Sequence, residues 1–146
     1  MKKVHLFVFA VCLSLQINAQ HSDRELVTKA CTNYIEGFYE GDTDKLKTSL
    51  QPNLHKFGFW KSKKTKTYGN PIPMTFEGAL KFAKNVKEKK NFAKKGSPKK
   101  IQILDLLDKI AVVKVTAYWG TDYMHLSKQG NKWMIEQVIW QGPNSK

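Results

Sequence analysis

Residues 23–39 place their apolar side chains at the spacing of an amphipathic helix. Cys31, Tyr34 and Phe38 fall on one stripe, because residues three and four positions apart share a helix face. Gly41 follows the stripe, and glycine commonly occupies the position just past a helix end. The pattern therefore predicts a long first helix over residues 23–39 with one buried face.

Two further helices are predicted from the same kind of spacing. A short second helix is capped by Asp42 or Thr43 and ends near Pro52, which either stops it or opens a single turn. A third helix is capped by Thr75 and extends to about Lys89, with apolar residues three or four positions apart along one face.

The remaining segments show the period of two that is typical of strands, with turn residues between them. Residues 110–119 alternate apolar and polar side chains, which indicates a half-buried strand. The predicted strands cover residues 55–60, 100–107, 110–119, 119–128 and 132–141, with a loop at 69–73 and a tight hairpin turn at 129–131.

The last predicted strand is apolar on both of its faces. Strict alternation sets one group, Met134, Val138 and Trp140, opposite a second group, Trp133, Ile135 and Ile139. One face can then pack on the helices while the other meets a partner sheet.

This order of elements predicts an α+β domain in which three helices pack on one face of a curved antiparallel sheet. Residues 20–146 are expected to form that single domain, because their length suits one core and no internal repeat is present. A sheet that curves away from the first helix encloses a cone, and we expect a cavity at its wide end.

Residues 1–19 have the pattern of a secretory signal peptide. Two lysines precede an apolar run, and Ala19 provides the small residue at the expected cleavage site. We therefore expect an exported protein, periplasmic or secreted. An uncleaved anchor is the alternative, but the run is shorter than the ~20 residues that span a bilayer. Lipid attachment at Cys12 is disfavoured by the bulky Val11 before it.

The formal net charge of +13 is concentrated in two segments, residues 61–66 with four lysines and residues 81–100. Residues 81–100 contain nine lysines and one acid, Glu88. Such a surface attracts anionic polymers or anionic membrane surfaces in a salt-dependent way, although a solvated face is the plainer interpretation. Arg24 is the only arginine, and bidentate recognition of phosphates and bases usually uses arginine, so specific nucleic-acid binding is not expected.

Cleavage of the signal peptide would leave Cys31 as the single cysteine, on the apolar stripe of the first helix. We expect a buried thiol there rather than a reactive one. The chain has no histidine or cysteine spacing typical of a metal site, and no glycine-rich phosphate loop or nucleophile elbow. Neither a metal nor another cofactor is therefore expected.

Short motifs along nearly the whole mature chain carry a resemblance to a known superfamily. They are YIEG (34–37), GD (41–42), LHKFGF (54–59), MTF (74–76), ILD (103–105), KIA (109–111), WGTDYMHL (119–126), KWMI (132–135) and VIWQ (138–141). On these motifs the chain resembles the nuclear transport factor 2-like (NTF2-like) superfamily, and within it the bacterial group described as putative lumazine-binding. The resemblance implies a cone-shaped fold but no single activity, because the superfamily includes isomerases, dehydratases, pocket binders and interaction modules.

The same resemblance bears on assembly and chemistry. Superfamily members often dimerise through the open sheet face, so with the two-sided apolar pattern of the last strand we expect a homodimer. The steroid isomerases of the superfamily use an acidic base and a tyrosine inside the cone. Tyr34 stands where a cone-facing tyrosine is expected, whereas Asp122 is predicted nearer to the rim than to the floor.

The candidate pocket residues are aromatic or histidine side chains near the expected cone. They are Tyr34, Phe38, His55, Trp60, Trp119, Tyr123, His125, Trp133 and Trp140. Aromatic side chains suit a flat ligand, although core packing explains any single one and structural hydrogen bonding explains either histidine. Asp122 and His125 are an odd number of positions apart, so an ideal strand points them to opposite sides. No catalytic residue can be assigned.

Three functions are compatible with these residues. The preferred one is an exported protein that binds a small apolar or aromatic molecule in an aromatic-lined cone. The alternative is a small isomerase or lyase that uses Tyr34, His55, Asp122 or His125 in the same cone. The third is an interaction module that docks its lysine-rich surface on anionic envelope polymers.

Overall fold

The computed structural model describes residues 22–143. In chain order the elements are α1 (residues 22–40), α2 (Thr43–Lys47), β1 (Leu50–Phe59), β2 (Ile72–Met74), α3 (Phe76–Glu88), β3 (Lys100–Leu106), β4 (Ile110–Ala117), β5 (Gly120–Gln129) and β6 (Lys132–Gln141). The predicted signal peptide, residues 1–19, lies outside the described residues. None of the helices in this described part is long and apolar enough to cross a membrane.

The described strands form one six-stranded sheet in the order β2-β1-β6-β5-β4-β3. β1 runs parallel to β6, while the other neighbouring pairs are antiparallel. The core lies between α1 and the sheet, where Tyr34 and Ile35 of the helix are fully buried together with Met124 and Val138 of the strands. The predicted α+β class with three helices on a sheet is therefore confirmed, and the sheet is mixed rather than wholly antiparallel.

The helix ends follow the local chemistry that the sequence predicts. Gly41 follows α1 with a φ of 67°, in the left-handed region that glycine enters without steric cost. The Asp42 carboxylate accepts hydrogen bonds from two backbone amides at the start of α2. The Thr75 hydroxyl likewise accepts one from the amide of Gly78 at the start of α3.

Two predicted boundaries are wrong. β1 begins at Leu50 and includes Pro52, where a helix end was expected, and its pairing with β6 is irregular between Leu50 and His55. Proline cannot donate a ladder hydrogen bond, so an irregular stretch accommodates it. The predicted loop at 69–73 contains the start of β2, which pairs with residues 56–58 of β1.

The predicted two-sided division of β6 is also wrong, because a β-bulge interrupts its alternation. His125 pairs with Gln137 while the next residue, Leu126, pairs with Ile135, so Glu136 is an extra residue on β6. Beyond the bulge, each side chain of β6 therefore points to the face opposite to the one that strict alternation would give it. The side chains that consequently share the buried side include residues from both predicted groups: Trp133, Ile135 and Val138.

We call the side of the sheet that faces α1 the inner face and the opposite side the outer face. On β5, Asp122, Met124 and Leu126 are buried on the inner face, while Tyr123 and His125 are exposed on the outer face. This is the half-buried alternation expected of a sheet covered by helices on one side.

Candidate functional site

A cavity of about 220 Å³ opens between α1, α3 and the inner face of the sheet. Its aromatic lining consists of Tyr34, Phe38, Trp60, Phe82, Tyr118, Trp119 and Trp140. Ile72 and Met74 from the short strand β2 complete the apolar wall. Trp60, Ile72 and Phe82 are partly exposed, so they mark the mouth of the cavity.

The deep aromatic side chains pack edge to face. The ring of Phe38 lies 5.1 Å from that of Tyr34 and 5.6 Å from that of Trp119, at interplanar angles of 81° and 74°. Such geometry sets the positive edge of one ring against the negative face of another. It holds the wall in a defined shape, because rotation of one ring would break its contacts with the others.

A chain of buried polar groups lies at the base of this wall. The Lys56 ammonium donates to the Tyr34 hydroxyl oxygen at 2.7 Å, and the Tyr34 hydroxyl donates to Oδ2 of Asp122 at 2.8 Å. The indole nitrogen of Trp119 donates to Oδ1 of the same carboxylate at 2.9 Å. Both oxygens of Asp122, which is fully buried, are therefore satisfied.

Burial shifts the pKa of every titratable member of this chain. Removal from water raises the pKa of Asp122, although the nearby Lys56 charge and the hydrogen bonds from Trp119 and Tyr34 act in the opposite direction. Burial lowers the pKa of Lys56 to about 8, against the attraction of Asp122. Burial and the Asp122 charge together raise the pKa of Tyr34 well above its ordinary value, so its phenol stays neutral.

The alternation of β1 points Lys56 into the cavity. Leu54, Lys56 and Gly58 occupy the buried positions, whereas His55 and Phe57 point to the outer face. A Cβ at Gly58 would lie 2.1 Å from the Trp140 ring. Glycine is therefore required there, because only a residue without a side chain lets that indole lie against the strand.

Five of the candidate residues lie together around the cavity. Tyr34 and Phe38 project from successive turns of α1, which is the stripe that the helical period predicts. Trp60 follows β1, Trp119 lies in the β4–β5 turn, and Trp140 comes from the end of β6.

The other four candidates lie away from this cavity. His55, Tyr123 and His125 are on the outer face, because each alternates with a buried residue of its strand. The side chain of Gln137 lies 3.3 Å from His55 Nδ1 and 3.1 Å from His125 Nδ1. These positions make the inclusion of the three residues in an inner pocket wrong, while the opposition of His125 to Asp122 on β5 is as predicted.

Trp133 is a core residue near the start of α1. It is 2% exposed, and its indole nitrogen donates to Oδ1 of Asp23 at 3.0 Å. The same carboxylate forms an ion pair with Lys128 at 2.7 Å. Trp133 therefore joins the helix to the final hairpin and does not line the cavity.

The expectation that Asp122 lies near the rim is wrong. Asp122 is the third residue of β5, but α1 crosses the sheet at this position and covers its inner face. Position along the strand alone does not decide depth, because the covering helix determines which end of the sheet is closed to water.

Lys56 is the site residue that the sequence interpretation missed. Its inward direction is hidden because the outer positions on either side of it, His55, Phe57 and Phe59, look more apolar than the inner positions do. The strand alternation itself carries the signal, because it places Leu54, Lys56 and Gly58 on one face. A glycine on that face indicates a close approach by another group.

Cys31 is buried as predicted. Burial and the Asp122 charge raise the pKa of its thiol to about 12, so the reactive thiolate is scarce at neutral pH. Among residues 22–143, no cluster of three or more histidine, cysteine, aspartate and glutamate side chains is placed to hold a metal ion.

Comparisons with known proteins agree with this architecture. A family model described as "Putative lumazine-binding" matches residues 22–141. Solved structures of NTF2-like proteins of unknown function are also similar. One from Silicibacter pomeroyi DSS-3 has a TM-score of 0.64 at 12% identity and covers 83% of this chain and 96% of its own.

A second structure, from Shewanella baltica OS155, has a TM-score of 0.63 at 17% identity and covers 84% of this chain and 95% of its own. A third, from Methylobacillus flagellatus KT, has a TM-score of 0.62 at 17% identity, with 83% and 92% covered. No curated protein matches the chain. At these identities the structures show the fold alone, and on the family match the chain belongs to the putative lumazine-binding family, with an NTF2-like fold.

Proposed function

We propose that the protein binds a small, flat, apolar or aromatic molecule in the cavity on the inner face of the sheet. The observation that carries the proposal is the lining, in which seven aromatic side chains surround a space of about 220 Å³. A dry apolar cavity of about 150 Å³ suffices to take up benzene, so this one has room for a larger ring system. Ligand sites of this kind combine apolar walls with a few polar groups.

The polar groups at the base supply an orientation for such a ligand. Lys56 is 7% exposed and belongs to the cavity lining, while its neighbour Tyr34 is fully buried. A ligand that offers a hydrogen-bond acceptor to Lys56 would satisfy a charged donor in a poorly hydrated space, where such a bond is strong. The proposed ligand therefore has an apolar ring and at least one acceptor atom.

Calorimetric titration with 2-naphthalenemethanol tests this proposal. Phe82 lines the cavity and is 40% exposed, whereas Phe92 is 49% exposed and does not line it. We expect Phe82→Ala to weaken binding about fivefold or more, through the loss of ~1 kcal/mol or more of apolar contact, and the matched variant Phe92→Ala to leave it unchanged. Equal affinity of the two variants, or no binding to the wild type, would contradict the proposal.

A small isomerase or lyase remains the second candidate, and the hydrogen-bonded Tyr34 and Asp122 favour it. A buried carboxylate with a raised pKa is a recognised kind of general base. In this geometry, however, the Tyr34 proton is directed to Asp122, so the phenol does not donate to a ligand. Turnover of a ketone substrate that disappears in Asp122→Asn, with binding retained, would favour the enzyme.

We also propose a homodimer through the outer face. Phe57, Tyr123 and Ile139 are neighbours there, since Ile139 pairs with both of the other residues. Ile139 is 37% exposed and carries no polar group. Sedimentation velocity should show a dimer that Ile139→Glu converts to a monomer, while Phe92→Glu, at an exposed position outside the sheet, should leave the dimer intact.

The lysine-rich segment supports a further proposal, that an exported form of the protein associates with anionic polymers or membrane surfaces. The nine lysines of residues 81–100 are all exposed, on α3 and on the segment that follows it. Retention on anionic vesicles should fall steeply with salt concentration. Retention that does not depend on salt would contradict this electrostatic mechanism.

A further inference from the structure

The cavity contains an amine in an unusually apolar environment. The Nζ atom of Lys56 lies 5.7 Å from the centre of the Trp140 ring and 6.0 Å from that of Phe38. The side chain enters from the middle of β1, so it reaches the cavity floor and not its mouth. A ligand that fills the aromatic space must therefore come close to this nitrogen.

The hydrogen bonds around Lys56 leave its nitrogen available to a ligand. Tyr34 donates its only hydroxyl proton to Asp122, so towards Lys56 the phenol oxygen acts as an acceptor. When Lys56 loses a proton, the neutral amine still donates to Tyr34 through one of its remaining N–H bonds. Its lone pair is consequently not used by Tyr34.

The buried environment also favours the neutral form of the Lys56 amine. Lys56 has a pKa of about 8, so about a tenth of it is the neutral, nucleophilic amine at neutral pH, far more than for a solvated lysine. The titratable groups that face it are Tyr34 from α1 and Asp122 from β5, with the Cys31 thiol beyond Asp122. Tyr34 stays neutral and burial raises the pKa of the Cys31 thiol to about 12, so Asp122 is the acidic group of this set that can balance the Lys56 charge.

We propose that Lys56 forms an imine with ligands that carry an aldehyde or ketone on an aromatic ring. The inference rests on the proposed binding function and names the ligand class. The lone pair of Nζ forms a bond to the carbonyl carbon, and the carbonyl oxygen becomes the hydroxyl of a carbinolamine. That oxygen then leaves as water with the two protons that the amine gives up, and a C=N bond replaces the C=O bond. No oxidant or reductant is consumed.

The Tyr34–Asp122 pair has a positioning role in this reaction. It holds Nζ at the cavity floor through the 2.7 Å contact and supplies the negative charge that the ammonium form needs when no ligand is present. The surrounding aromatic rings limit access of water to the imine, which slows its hydrolysis.

Reductive trapping tests the inference. The full protein is incubated with a limiting amount of 2-naphthaldehyde, reduced with sodium borohydride, and mapped by peptide mass spectrometry. We expect the adduct at Lys56 to exceed the mean at the exposed lysines by about tenfold or more. Lys56→Arg should remove this adduct, whereas Lys84→Arg, at an exposed position on α3, should leave it unchanged.

A competition in the wild-type protein keeps the test independent of any variant's folding. Excess 2-naphthalenemethanol, which has the same ring but no carbonyl, should suppress the adduct at Lys56 and spare those at exposed lysines. If the alcohol binds but Lys56 is modified no more than exposed lysines, the imine inference is overturned and the binding function stands. If neither compound binds, the proposed function fails and the inference fails with it.

Discussion

Both faces of the sheet carry polar, titratable side chains, but these side chains are buried on the inner face and exposed on the outer face. On the inner face, Lys56 and Asp122 are buried and connected through Tyr34. On the outer face, His55 and His125 are exposed and share the side chain of Gln137. Polar groups that face the helix must therefore find partners within the protein, whereas those on the outer face also have water.

This contrast shows where chemistry can be built in such a fold. Neighbouring residues of one strand, Asp122 and Tyr123, differ from fully buried to 49% exposed. Burial shifts the pKa of Asp122, Lys56 and Tyr34 in the directions that oppose charge, which is the environment in which proteins tune reactive groups. The inner face is thus the face on which binding or reaction is expected, although the histidines are on the other.

The largest expected effect comes from breaking the inner polar chain. Asp122→Ala removes the acceptor of Tyr34 and Trp119 and leaves the Lys56 charge buried without its counter-charge. We expect a loss of about 3–5 kcal/mol in the free energy of unfolding, measured by urea denaturation. His125→Ala, three positions along the same strand, should change it by less than ~0.5 kcal/mol. Similar losses for both variants would refute the contrast between the faces.

The free energy of unfolding, measured at several pH values, tests whether Lys56 is buried in the folded protein. Its pKa is about 8 in the folded protein and 10.5 in the unfolded chain. Between these values the unfolded chain binds the proton more tightly, so the free energy of unfolding should rise with pH relative to Lys56→Met. The rise is at most about 3 kcal/mol. A stability difference between wild type and variant that stays flat over this pH range would mean that Lys56 is solvated.

Replacing a glycine by alanine should have different effects at a crowded inner position and at an open position. In Gly58→Ala the new Cβ meets the Trp140 ring, so the indole must move and the cavity wall changes. We expect a loss of about 1–3 kcal/mol and weaker binding of 2-naphthalenemethanol. Gly69→Ala is the control, because nothing lies within 4 Å of its Cβ position. Thermal unfolding and titration of both variants provide the comparison.

The smallest effect is expected on the outer face. Gln137→Ala removes the amide that lies beside both His55 and His125, but all three side chains have access to water. The free energy of unfolding should therefore stay within ~0.5 kcal/mol of the wild-type value in urea denaturation. A loss as large as that of Asp122→Ala would show that this face is also a constrained polar site.

The sequence pattern predicts most of the fold because local chemistry determines it. The side chains of Asp42 and Thr75 cap their helices, and Gly41 adopts the left-handed conformation that the absence of a side chain permits. The errors arise where tertiary pairing overrides local preference. The irregular pairing of β1 accommodates Pro52, and the bulge at Glu136 reverses the alternation of β6.

The candidate site was predictable only in part. The helical period identifies Tyr34 and Phe38 as neighbours on a buried stripe, and both line the cavity. Lys56 and Tyr34 are separated by 22 positions in the chain, and Tyr34 and Asp122 by 88, so their contacts depend on the tertiary fold. Periodicity within a single element carries no information about such contacts.

The NMR signals of the indole N–H groups of the four tryptophans provide the most direct test that the inner-face cavity is the binding site. Trp60, Trp119 and Trp140 line the cavity, whereas Trp133 is bound to Asp23 elsewhere in the core. On titration of ¹⁵N-labelled protein with 2-naphthalenemethanol, the three cavity indoles should shift and the Trp133 signal should stay in place. A shift confined to Trp133, or saturable binding that leaves all four indoles unmoved, would contradict the account.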